Sequence, residues 1–227
     1  MATTLRWLGH NCWLLETAGK KILIDPFLND SPTAPVKADA VSADYILISH
    51  GHFDHIADAA SIAKRCKATA VAIYEICDWL GKQGVEQTQP MNLGGAIKLP
   101  FGSVKLTPAV HSSTLPDGCN GGNAGGLLLT LPDLKLYFAC DTALFDDMKL
   151  IGAVGLDLAV VPIGDRFTMG PEDSIEAIKL LAPKKVLPTH YNTWPPIAQD
   201  ANAWAAQVKA QTKAEPIVMN PGDTITL

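Results

Sequence analysis

The residues best able to do chemistry lie in one run, residues 46–56, which reads I-L-I-S-H-G-H-F-D-H-I. A short apolar segment ends there in three imidazoles and a carboxylate, His50, His52, Asp54 and His55. In extended chain, residues two apart face the same way, so His50 and His52 can close on one metal ion. Asp54 and His55, adjacent and past a turn, can reach a second ion beside the first. Mixed imidazole and carboxylate donors suit zinc, with manganese and iron as the other candidates. One histidine at a strand end is more often a hydrogen-bonded structural residue, and Asp54 alone could cap a helix starting near Ile56. Four such residues within six positions have no structural rationale, and they point to a metal site.

The elements that must position this cluster follow from the pattern around it. Residues 45–48 have the length and β-branched content of a buried strand, so the polar cluster falls where a strand gives way to a loop. Three further candidates have the same setting: His111 after K-L-T-P-A-V, Asp141 after L-Y-F-A-C, and His190 after V-L-P-T. These bring the total to five histidines and two aspartates. The chain holds six histidines, and the sixth, His10, also lies between two strand-like segments. Asp25, stopped by Pro26 at the end of the strand 21–24, sits at a strand end as His50 does.

In chain order, strands are expected over 3–8, 12–17, 21–24, 45–48, 69–73, 96–100, 103–110, 127–131 and 134–139. Residues 27–42 read as a surface loop, and helices are expected over 58–66, with Asp58 as N-cap, and 75–82. The second half alternates: helix 143–151, strand 157–163, helix 171–182, strand 185–189, helix 199–211, and a last strand pair near 216–219 and 223–227. Residues 118–126 carry five glycines and read as a flexible loop or lid. This order suggests two packed sheets with helices outside, and no linker divides the chain, so one domain over 1–227 is expected.

Composition narrows the class of partner. Hydrophobic residues make up 48% and charged residues 18%, a globular balance without room for a long disordered tail. A net charge of −5 and scattered lysines and arginines argue against nucleic acid as a partner. No apolar run approaches the ~18 residues of a membrane span. The start of the chain lacks the layout of a signal peptide, so a cytoplasmic location is expected. Five cysteines without C-x-x-C fit reduced, buried thiols.

The order H-x-H-x-D-H at 50–55, then His111, Asp141 and His190, resembles the metallo-β-lactamase superfamily. The G-H-N at 9–11, the I-D-P at 24–26 and the run H-Y-N-T-W-P-P at 190–196 resemble its small single-domain branch of metal-dependent hydrolases, related to ascorbate-phosphate lactonases and N-acylethanolamine phospholipases. The resemblance implies an α/β fold built as a four-layer αββα sandwich. It also implies two divalent metal ions, one held by His50, His52 and His111 and the other by Asp54, His55 and His190, with Asp141 bridging. Relatives usually carry a small residue, often Gly, before the bridging aspartate, where this chain has Cys140, read as a buried thiol rather than a soft ligand.

The expected activity is hydrolysis of a small ester, lactone or phosphodiester by a metal-bridging hydroxide, with Asp54 and Asp141 able to take the proton of the attacking water. His10 is expected beside the metals as a substrate contact or proton donor to the leaving group. Asp25 and Asp165 are the candidates for holding the ligating imidazoles from behind. Arg166, Tyr191, Asn192 and Asn123 are the candidate substrate contacts, together with Thr193 and Trp194 at the pocket mouth. A nuclease of the same fold and an iron-dependent sulfur or oxygen oxidoreductase are the alternative activities. The partner is expected to be a small molecule, with homo-oligomer formation left open.

Overall fold

A computed structural model describes residues 2–227. The first half forms β1 (Thr4–Trp7), β2 (Trp13–Thr17), β3 (Lys20–Ile24), β4 (Tyr45–Leu47), α1 (Phe53–Ile56), α2 (Ala59–Cys66), β5 (Thr69–Ile73), α3 (Tyr74–Lys82) and β6 (Thr88–Met91). The second half forms β7 (Ala96–Leu99), β8 (Gly102–Pro108), β9 (Gly125–Thr130), β10 (Lys135–Phe138), α4 (Met148–Gly152), β11 (Leu158–Pro162), α5 (Pro171–Leu181), β12 (Lys185–Thr189), α6 (Ala201–Gln211), β13 (Glu215–Pro216) and β14 (Thr224–Thr226). Two seven-stranded sheets result, in the orders β14-β1-β2-β3-β4-β5-β6 and β13-β12-β11-β10-β9-β8-β7. Each is antiparallel through its meander and parallel beyond it, from β3 to β6 in one and from β10 to β13 in the other. Helices α2 and α3 pack on the first sheet and α5 and α6 on the second, which gives the αββα sandwich of the metallo-β-lactamase fold.

The apolar runs explain the layering. Leu5, Trp13, Leu15, Ile22, Ile24 and Leu47 from one sheet and Leu127, Leu129, Tyr137, Val160 and Leu187 from the other are all buried. The parallel strands β5, β11 and β12 are buried nearly throughout, because each is covered by the other sheet on one face and by helices on the other. Parallel strands point the same way, so β3 and β4 in one sheet, and β10 and β12 in the other, deliver the residues after their C-terminal ends to one edge. Such an edge is where ligands collect in α/β sheets.

Several expectations shift. The segment before His111 leaves the sheet at Pro108 rather than at 110, and α4 covers only 148–152. The first change has a visible cause: Val110 N donates to Thr142 Oγ1 and Ala143 N donates to Val110 O, stitching the chain after Asp141 to the chain before His111. The last two strands are not a pair. β13 extends the second sheet beside β12, while β14 crosses to pair antiparallel with β1. Strand β6 carries no apolar alternation and contains Pro90, tolerated because β6 is an edge strand. Asp58 precedes α2 without capping it through its side chain. Its carboxylate instead accepts from Leu28 N, Asn29 N and Asn29 Nδ2, pinning the loop after β3, whose Phe27 and Leu28 are buried.

The sheets are joined at the site edge by a polar knot. The carbonyl of His10 accepts from the Trp7 indole at 3.0 Å, the Thr189 hydroxyl at 2.8 Å and His190 N at 3.2 Å. The Trp13 indole in turn donates to Thr189 Oγ1. Thr189→Val keeps the β-branched shape and removes the hydroxyl, leaving the buried Trp13 indole N–H and the Asn11 side-chain oxygen without this partner. The expected loss is about 1–3 kcal/mol, read by urea unfolding; an unchanged midpoint would show that the knot is not stabilising.

Candidate metal centre

Asp25, fully buried at the end of β3, is the anchor of the site. Its Oδ1 accepts from Ser49 N at 2.8 Å, and its Oδ2 accepts from Ser49 Oγ at 2.6 Å, Asn11 Nδ2 at 2.8 Å and His55 Nδ1 at 2.8 Å. Because the Ser49 hydroxyl is spent on Asp25, Ser49 Oγ can only accept from His50 Nδ1, 3.0 Å away. One carboxylate thus fixes two imidazoles with their Nε2 lone pairs turned inward, the usual arrangement behind metal-binding histidines.

Those lone pairs converge in two groups. His50 Nε2 lies 2.9 Å from His52 Nδ1, which lies 3.3 Å from His111 Nε2. The second group is Asp54, His55 and His190, with Asp54 Oδ2 3.7 Å from Nε2 of both histidines. Asp141 stands between the groups. Its Oδ2 is 3.5 Å from His111 Nε2 and 3.1 Å from His190 Nε2, and its Oδ1 is 3.4 Å from His55 Nε2. Asp54 and His55 ride on α1, a single helical turn, rather than on a strand end.

The donor set fits cations. His55 Nε2, Asp141 Oδ1 and both ring nitrogens of His190 are buried without a hydrogen-bond partner, a costly arrangement unless something else satisfies them. Charge agrees with this. Burial opposes a proton on His55, yet Asp141 and Asp54 outweigh it and raise its pKa well above the ordinary value. Burial likewise opposes a proton on His190, and Asp141 still lifts it to about 9. Burial pushes Asp141 and Asp54 up, and the surrounding imidazoles more than reverse this, holding both carboxyls below the usual range.

His10 is placed differently from expectation. Its ring is fully buried, behind Asp54 rather than facing the cleft, so it is not positioned to touch substrate or protonate a leaving group. Burial, with His190 next to it, drives its pKa down to about 3, so the ring is neutral. Nε2–H donates to Asp54 Oδ2 at 3.0 Å, which leaves Nδ1 to accept from Thr193 Oγ1 at 2.7 Å. His10 therefore orients Asp54.

Asp165 is exposed and shapes a turn, its N–H bonded to Met169 O, and it meets none of the histidines. The guanidinium of Arg166 lies 5.6 Å from the centre of the Phe167 ring, outside the cleft lining. Tyr191 is buried and stacked on Trp7, Asn192 is a turn residue whose side chain accepts from Gln199 N, and Asn123 is exposed away from the cleft. The cleft, about 480 Å³, is lined by His52, Asp54, His111, Asp141 and His190 together with Phe53, Ser112, Phe167 and Trp194. Ser49, Asn11, Phe53, Ser112 and Phe167 are the residues that sequence reasoning missed. Ser49 carried a signal, a hydroxyl between the apolar run and His50, and so did Asn11 within G-H-N. Phe53 and Phe167 are single aromatics in polar segments and follow no pattern.

Four residues at the site have left-handed backbone: His10 (φ 49°), Asp25 (φ 44°), Cys140 (φ 54°) and His190 (φ 55°). Such geometry costs an ordinary residue about 1–2 kcal/mol, and it turns the chain sharply from strand into site. It explains why glycine suits the place of Cys140. The Cys140 thiol is buried and its pKa is pushed well up, first by burial and then by Asp25. The glycine-rich loop is not free: Gly121 N donates to Ser113 O, Ser113 Oγ accepts from Gly51 N, and Gly125 N donates to Ser49 O. It is fastened to the first histidine loop.

Fold and donor set together define a metallo-β-lactamase fold with a His- and Asp-rich candidate metal centre. Residues 20–191 match the family described as beta-lactamase superfamily domain. A UPF0173 metal-dependent hydrolase of Thermus thermophilus is 45% identical over 98% of both chains, and one from Heliobacterium modesticaldum is 46% identical over 97% of this chain and 96% of that one. Among solved structures, Igni18, a metallo hydrolase from Ignicoccus hospitalis, aligns with a TM-score of 0.91 at 35% identity, covering 100% of this chain and 99% of the other. The chain belongs to the beta-lactamase superfamily and, within it, to the UPF0173 metal-dependent hydrolases.

His10→Ala should weaken the cation position at Asp54 by about 10- to 100-fold, the usual cost of removing a group that orients a ligand. The three-histidine position should be spared. Zinc titration against a chelator reads both, and equal weakening at the two positions would refute this role. Cations must also displace protons from His55 and His190, so zinc affinity should climb with pH up to about 9, by about tenfold per pH unit for each proton displaced. Calorimetry in buffers of different ionisation enthalpy measures that release, and an affinity flat through neutral pH would contradict it.

Proposed function

We propose that the protein is a dinuclear metal-dependent hydrolase acting on a small ester, lactone or phosphodiester. The observation that carries this is the convergence of seven chelating side chains, of which His55, Asp141 and His190 have buried nitrogen or oxygen atoms with no hydrogen-bond partner among the described residues. His50, His52 and His111 would hold one divalent cation and Asp54, His55 and His190 the other, with Asp141 shared; zinc is the first candidate, manganese and iron the others. When bound, such ions lower the pKa of water toward neutrality and polarise the carbonyl or phosphoryl oxygen under attack.

The remaining chemistry belongs to the chain. Asp54, whose side chain keeps 13% exposure against 3% for Asp141, lines the cleft and is placed to take the proton of the attacking water and pass it to the departing oxygen. His10, bonded to the same carboxylate, holds Asp54 in that orientation. Phe53, Phe167 and Trp194 wall the cleft and limit the water that competes for its polar floor. The substrate is a small molecule, of a size that a cleft of about 480 Å³ suits.

Asp54→Ala tests the reading. It should empty the cation position shared with His55 and His190 and lower hydrolysis by about 10³-fold or more, the scale of losing a group that acts only in the transition state, without altering the circular dichroism spectrum. Elemental analysis of protein purified without added metal, paired with lactone, ester and phosphodiester substrates, is the measurement. Near two zinc or manganese ions per chain with hydrolysis supports the proposal. Iron with only oxygen-dependent turnover, or full turnover in the variant, overturns it.

A further inference from the structure

The cleft has two chemically distinct parts. Its floor is made of chelating imidazoles and carboxylates, and its upper wall is Phe53, Phe167 and Trp194. Phe53 and Phe167 are 55% and 56% exposed, unusual for phenylalanine, and both line the approach to the donor groups. Phe53 is held in place rather than loose. Phe53 meets Phe27 edge-on at 5.7 Å and lies 6.2 Å from Trp194, and the buried Phe27 ring lies 5.9 Å from Trp194. Among the described residues no lysine or arginine lines the cleft, the Arg166 guanidinium lying 5.6 Å from the centre of the Phe167 ring but outside the lining. Once the chelating groups are engaged, the Ser112 hydroxyl and the Trp194 indole N–H are the uncharged polar groups left on its surface.

We infer that the substrate is a neutral ester or lactone whose scissile group carries an apolar chain or ring, held by Phe53, Phe167 and Trp194. This rests on the hydrolase reading given above. A phosphodiester brings two non-bridging oxygens that share a full negative charge and call for guanidinium, ammonium or several N–H donors, whereas the wall offers a single N–H, the Trp194 indole. A carbonyl asks less, and its flanking apolar group gains by leaving water against aromatic faces. In the reaction, water oxygen bonds to the acyl carbon and the bond from that carbon to the ester oxygen breaks. The water proton reaches the departing oxygen through Asp54, giving acid and alcohol.

The test uses full-length zinc-loaded protein with γ-nonalactone, γ-valerolactone, and the analogue of γ-nonalactone whose chain ends in a carboxylate. The two neutral lactones differ by four methylenes, each able to contribute roughly fourfold when fully buried; a partly open wall makes about tenfold in kcat/KM the expected preference. The carboxylate analogue should fall at least tenfold below γ-nonalactone. In the double variant Phe53→Ala, Phe167→Ala both preferences should shrink to within about twofold, mainly through KM, with zinc content unchanged. Arg166→Ala should leave both in place. Binding of 3-pentylcyclopentanone, which has a similar outline and cannot be hydrolysed, is measured by calorimetry on the same proteins and should weaken at least fivefold in the double variant.

A preference for the carboxylate, or ketone binding that is absent or survives the double variant, overturns the inference even if lactones are cleaved. Ketone binding that depends on the two phenylalanines, with no turnover of any lactone, ester or phosphodiester, upholds the cleft assignment and instead defeats the hydrolase reading.

Discussion

The site depends on one buried carboxylate. Asp25 has no exposure and accepts four hydrogen bonds, which fix His55 directly and His50 through Ser49. A buried charge is tolerable only when its bonding capacity is filled, and here the groups that fill it are those that must not rotate. The left-handed backbone at Asp25 lets the carboxylate turn back beneath the histidine loop instead of continuing β3. His10 repeats the device on the other flank, where Thr193 sets its ring and its Nε2–H sets Asp54.

This arrangement links fold and chemistry in both directions. The sheets supply strand ends at one edge, and the polar knot at the His10 carbonyl ties the first sheet to β12 beside His190. Strain in four left-handed residues and unpartnered polar atoms at the centre both oppose folding. Such features persist where surrounding structure over-determines them, and the deep aromatic and aliphatic core on either side is what does so.

Much of this was legible in the sequence because metal ligands are scarce residue types in a repeated setting. Six histidines, almost all beside apolar runs, pointed to one edge, and the turn at Asp25-Pro26 pointed to a supporting carboxylate. The legible part ended where position depends on rotamer and packing. His10 was identified by its motif, yet only the fold shows that it lies behind Asp54. Asp165 and Arg166 carry suitable groups, but the turn after Gly164 directs them outward, and the neighbouring Phe167 lines the cleft instead. The crossing of β14 back to β1 was hidden because short exposed strands carry too little pattern to name their partner.

The central claim is that two cations share these seven side chains. Anomalous X-ray scattering at the zinc edge, from crystals of zinc-loaded protein, tests it most directly. Two peaks of similar height are expected, one among His50, His52 and His111 and the other among Asp54, His55 and His190, with Asp141 in contact with both. A single peak, or zinc held outside these residues, would contradict it.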